Sequence, residues 1–330
     1  MNLHPNGNGL NRREFLDRLT KAGISITAAC AMGFWFHDSK GPSLSEAKQS
    51  NLILPDFSIH SLGQKMSIVR GEHRGATLRM ALKSLGGIEA FIKKGDRVLL
   101  KVNAAFASPA MLSATTHPEL ITEITQLCFR VGATSVVVTD NPINDPASCF
   151  TLTGIADAAR SAGARVLLPR KELFSSMTVR DAKLIRNWPV LFKPFADITK
   201  VIGMAPLKDH HRSGASMTMK NWYGLLGGRR NIFHQDIHNI IVELAMMVKP
   251  SMVILDATTS MMTNGPTGGS LSDLKNTNTM IVSTDQVAAD AFGASLLGRS
   301  LDDLPFIEKA EAAGMGTADY HKLSPVMVSI

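Results

Sequence analysis

The chain has 330 residues, 45% hydrophobic and 19% charged, the proportions of a folded globular protein rather than a disordered one. Its net charge of +7 is dispersed and aromatics are only 6%, so the basic stripe with interleaved aromatics that nucleic-acid binding needs is missing. Three cysteines (Cys30, Cys128 and Cys149), none in a Cys-x-x-Cys pair, exclude a disulfide scaffold, a zinc ribbon and an all-cysteine iron–sulfur cluster.

The first feature in chain order is Asn11-Arg12-Arg13-Glu14-Phe15-Leu16, which reads as a twin-arginine export signal. A moderately apolar stretch from Ala22 to Phe36 follows, the length of a signal core and too short for a comfortable membrane span. A polar Gly/Pro/Ser-rich segment from Asp38 to Ser50 comes next. Residues 1–47 are therefore expected to be a signal and linker that engages the twin-arginine translocase, and the mature protein to be periplasmic or otherwise extracytoplasmic. Two cleavage patterns are present. Ser45-Glu46-Ala47 has small residues at alternate positions, and Thr27-Ala28-Ala29-Cys30 resembles a lipoprotein box. Thr27 stands where the latter wants a larger aliphatic residue, so lipid anchoring at Cys30 is not expected. This route carries proteins already folded in the cytoplasm, commonly because a cofactor is inserted there, and the sequence names none.

From residue 48 to 330 a single α/β domain is expected. Arg97 to Asn103, opened by Gly95-Asp96, is a short aliphatic run that fits a buried strand. Pro118 to Val131 carries apolar residues at helical spacing, with Thr116 as cap, Pro118 in the first turn and Gly132 as stop. Strands are expected at 134–139, 164–168, 198–204, 252–255 and 279–283. Helices are expected at 152–162, 235–248, 285–297 and 304–313. Lys171 to Pro194 is the least regular stretch and reads as an insertion. Apolar strands alternating with helices predict a three-layer α/β fold, its mainly parallel sheet covered by helices on both faces. Ligands bind such sheets at the carboxyl ends of the strands, where Asn103, Asp140 and Asp256 stand.

The densest chemistry lies between Met204 and Gly228. Ala205-Pro206-Leu207-Lys208-Asp209-His210-His211 leaves a predicted strand, and Met219-Lys220-Asn221-Trp222-Tyr223-Gly224 follows. Lysines, histidines and an asparagine near glycines suit an anionic group, or a metal held by imidazole. Strand alternation would point His210 and His211 oppositely, so only one need face a site. His234 and His238, four apart on a predicted helix, have a spacing compatible with two ligands of a divalent metal. No Walker loop, Gly-x-Gly-x-x-Gly, metalloprotease helix or Gly-x-Ser-x-Gly elbow is present. The 17 methionines read as core filling.

Lys101-Val102-Asn103, Thr116-His117-Pro118-Glu119-Leu120, Pro206-Leu207-Lys208-Asp209-His210 and Met219-Lys220-Asn221-Trp222-Tyr223-Gly224 occur in that order. Phe233-His234, Asp256, Gly265-Pro266 and Asp285-Gln286-Val287-Ala288-Ala289-Asp290 continue it. Together they resemble the domain of unknown function 362 family, from about Val69 to Gly298. The resemblance implies an α/β fold and a map of site residues more than a reaction. Many relatives carry a fused ferredoxin-like module with Cys-x-x-Cys repeats, absent here, so electron transfer through iron–sulfur clusters of this chain is not expected. The run from Lys101 to Asp140 also looks distantly like the N-terminal domain of nickel-dependent lactate racemases.

Two functional readings stand side by side. In one, an exported cofactor- or metal-dependent enzyme acts on an anionic organic substrate. Lys101, Lys208 and Lys220 hold the anion, and His117, His210 or His234 serves as acid, base or ligand. In the other, a non-catalytic accessory protein binds a ligand or a redox partner. Either way Lys101, Asn103, His117, Asp140, Lys208, His210, Lys220, Asn221 and Asp256 are expected to converge on one cleft, with His234 at its edge. Lysines gathered there should have depressed pKa values until an anion binds.

Overall fold

In a computed structural model of the protein, Arg13, Leu16, Thr20 and residues 52–330 are described. Apart from Arg13 and Leu16, the twin-arginine motif, both cleavage patterns and Cys30 lie outside the described residues. The chain divides into two units, Met1–Lys48 and Gln49–Ile330, and the fold below is that of the second. Its elements are β1 (Met66–Arg70), α1 (Arg74–Ser84), β2 (Arg97–Lys101), α2 (Pro118–Arg130), β3 (Ser135–Thr139), α3 (Pro146–Leu152), α4 (Ile155–Ser161) and β4 (Arg165–Leu167). They continue with β5 (Phe174–Met177), β6 (Trp188–Leu191), β7 (Lys200–His210), β8 (Gly214–Ser216), α5 (Thr218–Asn221), α6 (Ile237–Met247), β9 (Met252–Met261), β10 (Leu274–Ser283), α7 (Gln286–Leu296), α8 (Phe306–Ala312) and β11 (Val326–Ser329).

The main sheet has nine strands in the order β11-β1-β10-β9-β7-β2-β3-β4, with β8 paired on β7. The five strands from β9 to β4 are parallel. β10 runs against both its neighbours, and β8 against β7. The central strands are apolar on both faces because both faces are covered. Alternation along β2 sends Leu99 to one core, and Val98 and Leu100 to the other. Leu78 of α1, Ile124 of α2 and Ala159 of α4 pack with Val98, while Ile240 of α6, Val287 of α7 and Phe306 of α8 pack with Leu99. This is the expected three-layer arrangement. No described helix is long and apolar enough to cross a membrane.

The chain departs from its sequence pattern in three places. The helix expected over 152–162 is α4, which begins only after Gly154, whose φ of +75° a side chain would resist, and the short α3 precedes it unannounced. The irregular stretch 171–194 holds a small antiparallel pair, β5 with β6. It is tied to α6 by the Glu243 carboxylate, which accepts the backbone N–H groups of Lys183, Leu184 and Ile185. The helix expected from 235 starts at Ile237, after a 3-10 stretch from Arg230 to Asp236.

Strands β2 and β7 are neighbours, yet their connections diverge. After β2 the chain crosses through α2 on one face to β3; after β7 it crosses through α6 on the other face to β9. Such a switch point opens a crevice at the carboxyl ends of the two strands.

Candidate ligand-binding site

The floor of that crevice is an ion pair. Lys101, the last residue of β2, is fully buried, and its Nζ lies 2.7 Å from Oδ1 of Asp140, just beyond β3. The same Nζ donates to the Val102 carbonyl at 2.6 Å and to the Asn221 carbonyl at 2.8 Å. The other carboxylate oxygen of Asp140 accepts the Ala104 N–H at 2.6 Å. Asn221 in turn donates Nδ2 to the Met204 carbonyl at 3.1 Å. Burial pulls the Lys101 pKa down and Asp140 pulls against it. Gly224 closes over the pair so tightly that a Cβ there would lie 1.9 Å from Asp140 Oδ1. Lys101 thus has oxygens around it already, from Asp140, Val102 and Asn221, and it lies beneath the cavity rather than among its lining residues.

Above the floor is a cavity of about 740 Å³, lined among others by Asn103, Lys208, His210, Lys220, Arg230 and His234. Asp140 and Asn221 also reach it. Lys208, near the end of β7, donates to the Ala114 carbonyl and sits 5.1 Å from the centroid of the Phe106 ring. Lys220, on the single turn of α5, is 8% exposed, and its contact is with a ring face, Nζ standing 5.1 Å from the Tyr223 centroid. No described residue offers Nζ of Lys220 a hydrogen-bond acceptor or a carboxylate. Burial, then Lys220 beside it, pushes Lys208 down to about 7; burial, then Arg230, pushes Lys220 down to about 7. Both values lie well below the 10.5 of an exposed lysine.

α5 is too short to stand alone and is held from beneath. Asp290, fully buried on α7, accepts the Thr218 N–H at 2.8 Å and the Met219 N–H at 3.1 Å, and takes the Thr218 hydroxyl as well. Burial raises its pKa to about 7 against those donors. The neighbouring Gln286 accepts the Trp222 indole N–H at 2.7 Å. The Asp-x-Val-Ala-x-Asp element is thus the support of the lysine turn, a role its sequence did not announce.

Three imidazoles form one wall. His210 and His211 stack at 5.1 Å between centroids, and His210 and His234 at 5.9 Å. His210 ends β7 and His211 begins the turn to β8, so strand alternation no longer separates them and both reach the cavity, contrary to the sequence reading. Nδ1 of His210 accepts the N–H groups of Arg212 and Ser213 at 3.1 and 3.3 Å. Backbone N–H only donates, so the proton of the neutral ring is on Nε2. Burial, with Lys220 and Lys208 nearby, drives the His210 pKa down to about 2; burial and Lys220 drive His234 down to about 4. His234 Nδ1 lies 3.0 Å from the Tyr223 hydroxyl, whose own proton goes to the Arg230 carbonyl. Burial raises the Tyr223 phenol to about 12. Arg230 and Tyr223 were not singled out by sequence; the Arg229-Arg230 pair after three glycines was the available signal.

His117, Asp256 and His238 are not brought to this cavity. His117 caps α2, its Nδ1 accepting the Glu119 N–H at 3.3 Å, and the cap falls there rather than on Thr116. Burial first, then Arg74, lowers its pKa. Asp256 lies within β9, which runs on to Met261, and pairs with Arg74 at 3.0 Å. His238 stacks on Phe306 at 6.1 Å inside α6, whereas His234 belongs to the 3-10 stretch before it. The two histidines therefore lie in different elements, without the single helix that four-residue spacing implied. Among the described residues no group of three His, Cys, Asp or Glu side chains is arranged to hold a metal.

Residues 98–295 match the family described as Domain of unknown function (DUF362). The thylakoid-associated protein sll1697 of Synechocystis sp. is 26% identical over 253 residues, covering 73% of this chain and 75% of that relative. Among solved structures, the lactate racemase apoprotein from Thermoanaerobacterium thermosaccharolyticum aligns with 12% identity and a TM-score of 0.40, over 74% of this chain. The alignment spans 58% of the racemase chain, less than two thirds of its length.

Proposed function

The chain belongs to the domain of unknown function 362 family, and from that premise we propose that it binds a small anionic ligand in the crevice between β2 and β7. The observation that carries this reading is the pair Lys208 and Lys220: both are buried at the cavity, and neither has a carboxylate partner among the described residues. The one carboxylate at the floor, Asp140, is already matched by Lys101. Arg230 adds a third buried cation, its guanidinium donating to the Pro142 and Leu226 carbonyls. Gathering uncompensated positive charge out of water is unfavourable, and a bound anion relieves it. His210, neutral with Nε2–H free of protein partners, adds a directional donor.

The test is calorimetric titration of the purified protein with phosphate, oxalate and lactate at pH 7. At least one should bind with uptake of protons from the buffer, because the anion lifts Lys208 and Lys220 back toward their ordinary range. Lys208→Met and Lys220→Met should each weaken binding at least ~10-fold, the scale of a lost charged hydrogen bond. Failure of every small anion to bind, or variants that bind like the parent, would end the proposal.

We infer further that Arg12-Arg13 with Phe15-Leu16 directs export of the folded protein through the twin-arginine translocase, so that the ligand is met outside the cytoplasm. Replacing both arginines with lysine should leave precursor in the cytoplasm; undiminished export would refute it.

A further inference from the structure

We propose that Lys220 is a nucleophilic amine that forms an imine with the carbonyl of a small 2-oxo carboxylate bound in the cavity. The proposal rests on the anion-binding reading and narrows it to a carbonyl-bearing anion. Three observations distinguish Lys220 from a simple counter-charge. It is buried, faces the cavity and has no acceptor among the described residues to keep its ammonium form satisfied, in contrast to Lys101, which has carbonyl and carboxylate oxygens around it. A second cation, Lys208, lines the same space and can take the carboxylate, leaving the adjoining carbonyl to Lys220. His210, with its proton fixed on Nε2, lines the cavity as a donor for a carbonyl oxygen.

The electrostatics agree with the geometry. Burial and Arg230 bring the Lys220 pKa to about 7, so roughly half of the amine is unprotonated at neutral pH, against about one in a few thousand for an exposed lysine. An amine desolvated beside another cation is an activated nucleophile. In the step, the Nζ lone pair forms a C–N bond to the carbonyl carbon as the C=O π bond breaks, and one Nζ proton passes to the new alkoxide, giving a neutral carbinolamine. That hydroxyl takes one more proton from solvent and leaves as water as the nitrogen lone pair closes the C=N bond, so the remaining Nζ proton stays on the imine. No oxidant or reductant enters, and the protonated imine remains next to the ligand's own carboxylate.

The experiment incubates the full-length protein with pyruvate or glyoxylate at pH 7, reduces with borohydride, and reads the mass and position of the adduct by peptide mapping. A single adduct on Lys220 is expected, formed at least ~100-fold faster than on any exposed lysine, given the difference in free amine. Acetone should label Lys220 far less than pyruvate, and Lys220→Arg should abolish the adduct. Adduct spread over surface lysines overturns the proposal even if no variant folds. So does lactate binding with no trapped pyruvate, and in that case the anion-binding reading survives alone. Equal labelling by acetone overturns the 2-oxo carboxylate as the ligand class.

Discussion

Lys101 at the floor of the crevice and Lys220 in its wall are both buried, yet their surroundings are opposite. Lys101 is ringed by Asp140, the Val102 carbonyl and the Asn221 carbonyl. Lys220 has a tyrosine ring face and further cations. A buried cation whose protons are all received holds the architecture together, because removing its partner strands a charge. One whose protons are received by nothing destabilises the empty protein and is tolerable for what it binds. Burial alone does not separate the two roles; the oxygen count around each amine does.

The sharpest way to break this contrast is to remove the floor's carboxylate. Asp140→Asn should destabilise the protein by about 3–5 kcal/mol in urea unfolding, since it leaves Lys101 buried and unpaired. Lys220→Met, by comparison, should leave stability unchanged or raise it; equal losses for the two would erase the distinction. Next in size is Gly224→Ala. The new methyl cannot coexist with Asp140 where it stands, so a loss of about 1–3 kcal/mol is expected from overpacking, read by the same unfolding curves.

A smaller effect sharpens the comparison through pH. Lys208 and Lys220 have folded pKa values of about 7, below the ordinary 10.5. Between those values the unfolded chain holds more protons than the folded one, so stability should rise with pH from about 7 to 10.5 and fall as pH drops back through 7. The double variant Lys208→Met/Lys220→Met should flatten that rise in melting curves measured across the window. Asp290 has the opposite sign. Its folded pKa, about 7, is above the ordinary 3.8, so its contribution is complete below 3.8 and is lost as pH rises through 7. Asp290→Asn should therefore flatten the acidic side and cost about 1 kcal/mol or less at pH 6, the smallest of these effects. A large loss at pH 6 would mean that the carboxylate, not the protonated acid, holds α5.

Much of the architecture was legible because it rests on local pattern. The aliphatic runs Arg97–Lys101 and Ser135–Thr139 and the amphipathic Pro118–Arg130 announce themselves. β1, α1 and β11 did not, since their place in the sheet depends on pairings between Met66 and Ser283 or Ser67 and Val326, far apart in sequence. Strand ends drew attention to Asn103, Asp140, Lys208 and His210, all of which reach the cavity. The same logic misplaced Asp256, because β9 continues past it. It could not separate Lys101 from Lys220, because a sequence cannot show how many oxygens surround an amine. His238 failed for a local reason: a helix that changes type at Asp236 no longer keeps the phase that spacing assumes.

The wall also has a lineage-level implication. Lys208, His210, Arg212, Lys220, Tyr223, Arg230 and His234 all line the cavity from one continuous stretch of chain, the excursion that β7, β8 and α5 make before α6. Lys101 and Asp140 of the floor, and the sheet strands other than β7 and β8, come from elsewhere. A single recombination or graft replacing residues 205–234 would carry every basic residue of the cavity lining with it, provided that the incoming piece kept Asn221 for Lys101, Gly224 for Asp140 and a turn that Asp290 can grip. Ligand choice in such a molecule can diverge as a cassette, while the platform that presents it stays still.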